Sequence, residues 1–132
     1  MATRKESDLY TPIKLFLQRQ GYTVRGEVDD CDLVGVRGDD LVIVELKVAF
    51  NLALLLQGIQ RQSMTDAVYV AVEAPRRTRN GPRWTEIRGL CRRLGLGLIF
   101  VHLAGRSPIV EVVCDPEPYT PRKQPKMRGR LL

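Results

Sequence analysis

Asp32, Glu45 and Lys47 are the residues of this chain whose types and spacing could do chemistry, and they fall in the stretch GEVDDCDLVGVRGDDLVIVELKV. Residues 41–48 read as a strand, and residues two apart on a strand project from one face, so Glu45 and Lys47 are expected to point the same way. Asp32 opens the preceding strand, and the turn-forming Gly38-Asp39-Asp40 lets it return beside Glu45. Two carboxylates and an ammonium would then share one small volume. Paired carboxylates suit a hard cation such as Mg2+ or Mn2+, which takes oxygen ligands and keeps several waters. Lys47 is a compact charge on a flexible stem, able to orient an attacking water or neutralise charge developing on phosphorus. The chemistry would be metal-assisted hydrolysis of a phosphodiester.

So short a pattern also arises when an aspartate caps a turn and a Glu-Lys pair is simply solvated on a half-exposed strand. The surroundings argue otherwise. LVIVELKV carries Leu41 and Ile43 on one face and Val42, Val44, Leu46 and Val48 on the other, so the strand is expected to be central and covered on both sides. Charges at the end of such a strand are costly unless they serve a function.

The elements that must position these residues follow from periodicity. Residues 6–20 read as a helix with Leu9, Ile13, Phe16 and Leu17 inward, stopped by Gly21. Strands are expected at 22–28, 32–37 and 41–48, then a helix capped by Asn51 and running to 64, and a buried strand at 67–73. The basic loop PRRTRNGPR leads to a helix at 84–94 and to strands at 97–102 and 109–114. The order is αβββαβ with an αββ extension, an α/β domain whose mixed central sheet is flanked by helices.

Motif and element order together resemble the PD-(D/E)XK nuclease superfamily, which includes restriction endonucleases and Holliday-junction resolvases. The run from Gly21-Tyr22 through CDLVGV, VELK, the leucine-rich 51–57 segment and TDAVYVAV is similar to an uncharacterised bacterial branch of PD-(D/E)XK phosphodiesterases, over residues 6–114. The resemblance implies a restriction-endonuclease-like core, Mg2+ or Mn2+ as cofactor, and a nucleic-acid substrate, DNA in the first instance. It implies Asp32 and Glu45 as metal ligands, Lys47 as the catalytic lysine, and Gln57 and Arg61 on the next helix as supporting residues, Gln57 toward catalysis and Arg61 toward the nucleic acid. Cys31 stands where the motif's name has proline, a position that does no chemistry.

Other acids are open to two readings. Glu27, near the end of its strand, is either a further metal-site carboxylate or a solvated strand-end charge. Glu6 ranks below it, and Asp8 is expected to cap the first helix, where acidic residues favour the positive end of the helix dipole. His102, in the apolar run GLIFVHL, is expected to be hydrogen-bonded rather than metal-bound, and Trp84 to anchor its helix rather than stack on a base.

Charge divides along the chain. Residues 1–50 carry seven Lys and Arg against nine Asp and Glu, a balance of −2, while residues 51–132 carry fourteen against six, a balance of +8. The acidic half would hold the metal and the basic half the phosphates, with Arg76, Arg77, Arg79 and Arg83 as one cluster and Arg88, Arg92 and Arg93 on the following helix. At 132 residues, 44% apolar and 27% charged, residues 1–114 fit one globular domain. No apolar run is long enough for a membrane span, the N-terminus has no apolar signal region, and three widely spaced cysteines suit a reducing cytoplasm. The proline-rich basic stretch 115–132 is expected to be extended, and its ending in Leu131-Leu132 suggests a chain that continues further. A nuclease is the first expectation and a catalytically silent nucleic-acid-binding module on the same fold the alternative. A homodimer would help so small a domain enclose a duplex.

Overall fold

The computed structural model describes residues 4–28, 31–75 and 82–132. Helix α1 (Glu6–Arg19) forms because Leu9, Ile13 and Leu17 recur at helical spacing and are buried together. Asp8 caps it as expected, its Oδ2 accepting from Lys5 N at 2.8 Å, and Gly21, at φ 92, supplies the left-handed residue that turns the chain away. Pro12 lies inside the helix and removes one ladder bond, a loss offset by the buried stripe.

Strands β1 (Thr23–Val28), β2 (Cys31–Arg37) and β3 (Asp40–Leu46) pair antiparallel in succession. Helix α2 (Leu52–Arg61), capped by Asn51 Oδ1 accepting from Leu54 N at 2.9 Å, crosses over to β4 (Ala67–Glu73), which lies parallel to β3. Helix α3 (Pro82–Arg93) makes the second crossover, to β5 (Gly97–His102), and β6 (Ile109–Cys114) returns antiparallel. Parallel neighbours need such crossovers, whereas antiparallel ones can be joined by a turn, which is why helices intervene only around β4. The six strands lie in chain order from β1 to β6.

Both faces of the sheet are covered. Val42, Val44 and Leu46 of β3 join Leu9, Ile13 and Leu17 of α1 in one cluster, and Ile43 joins Leu54 and Leu55 of α2 in the other. The expectation of a central strand, apolar on both sides, is met. Trp84 packs edge-on against Phe100 at 4.9 Å and Phe50 at 6.3 Å between ring centres, which makes it a core anchor. His102 Nε2 lies 2.8 Å from Glu111 Oε1 across β5 and β6.

Several boundaries and the tail differ from expectation, and α3 begins two residues early, at Pro82. Strand β3 stops at Leu46 and α2 at Arg61, each short of its apolar pattern. The 115–132 stretch is not extended throughout, because α4 (Pro125–Leu131) begins at a proline whose missing N–H costs nothing in a first helical turn. No α4 side chain is buried. Among the described residues, no helix is long and apolar enough to cross a membrane.

Gly97, at the start of β5, has no room for a side chain: a Cβ there would collide with the Tyr69 ring and lie 2.9 Å from Pro116 Cδ. Gly97→Ala is therefore expected to cost about 1–3 kcal/mol through overpacking, read as a lowered midpoint in urea unfolding with an unchanged slope.

Candidate active site

The ladder between β2 and β3 runs from Arg37 and Asp40 at the turn up to Leu33 and Val44, and there it ends. The next residues bond crosswise through their side chains. Asp32 N donates to Glu45 Oε2 at 2.9 Å, and Leu46 N donates to Asp32 Oδ2 at 2.8 Å. Each carboxylate takes a hydrogen bond that a strand carbonyl would otherwise accept, so each acid is tied to the backbone of the opposite strand. They sit at the carboxyl end of β3, which with β4 and β5 forms the parallel part of the sheet, and open α/β sheets bind ligands beyond such ends.

Glu45 is almost fully enclosed, with 1% of its surface exposed. Its Oε1 accepts from Arg61 Nε at 2.6 Å, and the Arg61 side chain is itself 14% exposed. Burial raises the Glu45 pKa above the usual carboxylate range, while the Asp32 N–H and the Arg61 guanidinium work against that rise. Arg61 can reach because α2 lies close on the sheet. Gly58, on the same helix face three residues earlier, would as alanine place its Cβ 3.0 Å from Val70 Cγ1 and 3.2 Å from Leu96 Cδ2.

Lys47 lies one residue beyond β3, its N donating to Ala71 O at 3.0 Å. Its Nζ is 3.5 Å from Glu6 Oε1 on α1. Glu45 is therefore held by α2 and Lys47 by α1, so the expected common face is not what their partners show. A cavity of about 560 Å³ is walled by Glu6, Tyr10, Glu27 and Asp32, which places Glu6 and Glu27 at the site with Asp32. Ser7, Tyr10 and Thr11 also line it and were not anticipated, although with Glu6 they form a polar stripe at helical spacing. Tyr10 lies so close over β1 that a Cβ on Gly26 would be 2.9 Å from its Oη. Glu27 adopts φ 53, a left-handed conformation unusual for glutamate.

The remaining candidates are more scattered. Gln57 is half-buried one helical turn before Arg61 and stands outside this bonded network. Arg83 is exposed and lines a separate, largely apolar cavity of about 840 Å³ with Trp84, Phe50 and Glu73. Arg76, Arg77 and Arg79 lie outside the described residues. Arg88 and Arg92 line a pocket with Cys114 and Asp115, beside the start of β5 and so toward the opposite edge of the sheet from Asp32 and Glu45. Of the basic residues described on α3, only the first turn faces the carboxylate edge.

As a donor set, Asp32 and Glu45 suit a hard cation that completes its shell with water. Among the described residues no group of three His, Cys, Asp or Glu is placed to cage an ion. The thiols are poor nucleophiles: Cys31 is buried, burial pushes the Cys91 thiol up to about 12, and burial also raises that of the half-buried Cys114. Known protein families, characterised proteins and solved structures yielded no match to this chain.

Removing the Arg61 guanidinium leaves a buried carboxylate unpaired, so Arg61→Ala is expected to cost about 3–5 kcal/mol in denaturant unfolding. The sign with pH follows from the raised pKa. A folded carboxyl that holds its proton more tightly than the unfolded one contributes stability in acid and loses it as pH rises from the unfolded value of about 4.3 through the elevated folded value. The deficit of Arg61→Ala should therefore be smallest in acid, and adding Glu45→Gln should shrink it at neutral pH.

Glu27→Gly relieves a left-handed backbone, and thermal melting is expected to show unchanged or higher stability, by up to about 1 kcal/mol.

Proposed function

We propose that the chain is a metal-dependent phosphodiesterase acting on nucleic acid, with DNA as the first substrate to test. The observation that carries this is the crossed bonding of Asp32 and Glu45 at the open end of β2 and β3, beside a cavity bordered by Glu6 and Glu27. Fixing two carboxylates through the backbone of the opposite strand is what orienting ligands for a cation requires, and it does not help an ordinary solvated surface. The order α1, β1, β2, β3, α2, β4, antiparallel across the first three strands and parallel at the last step, is the αβββαβ core that the PD-(D/E)XK resemblance implies and supports a restriction-endonuclease-like arrangement.

Asp32 and Glu45 would hold Mg2+ or Mn2+ with water completing the shell, while Glu27 borders the same cavity as Asp32. When bound, such an ion polarises the phosphoryl oxygens and lowers the pKa of a coordinated water. Lys47, 3.5 Å from the Glu6 that borders the cavity, would offset negative charge as the phosphorus gains an oxygen. Arg83 would supply positive charge for the substrate backbone together with Arg76, Arg77 and Arg79, which lie outside the described residues.

A second reading is a silent binding module on the same fold, favoured by one fact: Arg61 already neutralises Glu45. Incubating plasmid, linear duplex, branched and single-stranded DNA, and RNA, with Mg2+ or Mn2+ separates the two. Cleavage by the native chain that falls at least about 100-fold in Asp32→Ala and in Lys47→Ala is expected for the enzyme. Salt-sensitive binding without cleavage in any form would instead establish the module.

A further inference from the structure

We infer that Arg61 is the resident counter-cation of Glu45 and competes with the divalent ion for it, so that metal affinity is set by a residue that does not ligate metal. The inference rests on the metal-site reading above. A carboxylate with 1% of its surface exposed cannot draw on solvent for its counter-charge, and Arg61 provides it at 2.6 Å. That bond is not what places the ligand. Glu45 Oε2 is already fixed by Asp32 N, and Asp32 by Leu46 N, so the backbone of β2 and β3 holds the geometry while Arg61 contributes mainly charge. A dication entering between Asp32 and Glu45 meets a guanidinium already on the same carboxylate, and like charges in a poorly hydrated site repel strongly. The cation must therefore displace Arg61 from Oε1, share that oxygen with it, or bind the remaining lone pair of Oε2 against its charge.

The consequence separates two roles. A positioning arginine, once removed, would weaken metal binding. A competing one, once removed, tightens it. Arg61→Gln keeps a hydrogen-bond donor of similar reach and deletes the charge, whereas Arg61→Lys keeps the charge and changes the donor.

The test is a Mn2+ titration of the full chain, following loss of the free-ion EPR signal, on the native protein, Asp32→Asn, Arg61→Gln and Arg61→Lys. Binding that Asp32→Asn abolishes, that Arg61→Gln tightens roughly tenfold or more, and that Arg61→Lys leaves near native would support competition, at a coupling of ordinary size. Thermal melts with and without Mn2+ give a second readout, since the ion should raise the melting temperature of Arg61→Gln more than that of the native chain. Equal or weaker binding in Arg61→Gln, with Asp32→Asn still abolishing it, would overturn the competition and leave the metal site standing. An absence of Mn2+ binding in every form would overturn both together.

Discussion

The crossed hydrogen bonds that Asp32 and Glu45 accept from the opposite strand's backbone are the constraint on which the rest of this edge depends. A β-ladder ordinarily ends by fraying into water, its last N–H groups solvated. Here the last two are taken by carboxylates, so the ends of β2 and β3 stay joined beyond the final backbone pair of Leu33 and Val44. The cost is the burial of a glutamate, and that burial dictates what must lie opposite it. Helix α2 has to bring a cation to Glu45, and it can do so only because Gly58 lets it settle against Val70 and Leu96.

Charge is partitioned by the sheet. The α2 face supplies the guanidinium for Glu45, while the α1 face supplies the carboxylate for Lys47. Asp32 stands between them, open to the cavity that Glu6, Tyr10 and Glu27 enclose. The crossover direction of α3 governs the remaining basic residues. Because that helix runs from the carboxyl end of β4 back to the start of β5, Arg83 begins near the acidic edge and Arg92 ends far from it. The positive balance of the second half of the chain is thus not a single surface.

Much of the architecture was legible because β3 announces itself: Ile43 against Val42 and Val44 is apolar in both phases, and only a covered central strand tolerates that. The acids were legible by type and spacing as well. What spacing could not convey is which N–H each carboxylate takes, since that depends on where the ladder stops. Nor could it convey the pairing of Lys47 with Glu6, because alternation holds only within a strand and β3 ends at Leu46. Tyr10 escaped notice because a half-buried aromatic on an amphipathic helix reads as core, and only the close approach to Gly26 gives it a place at the cavity. The α4 helix was hidden by proline content, which argues against a helix everywhere except its first turn.

Stability alone does not account for Glu45 and Arg61. A valine in place of Glu45 would continue the apolar pattern of Ile43, Val44 and Leu46, and exchanging buried ion pairs for well-packed apolar groups is often neutral or stabilising, by about 1–4 kcal/mol. The chain instead carries a buried carboxylate, an arginine to match it, a glycine that lets the helix approach, and a second acid locked to the first. Each is explicable singly. Taken together they hold a buried carboxylate at the end of a central strand, bonded to the backbone of an Asp32 that lines a cavity. A purely structural charge gains nothing from that arrangement, whereas the proposed cation site would use it.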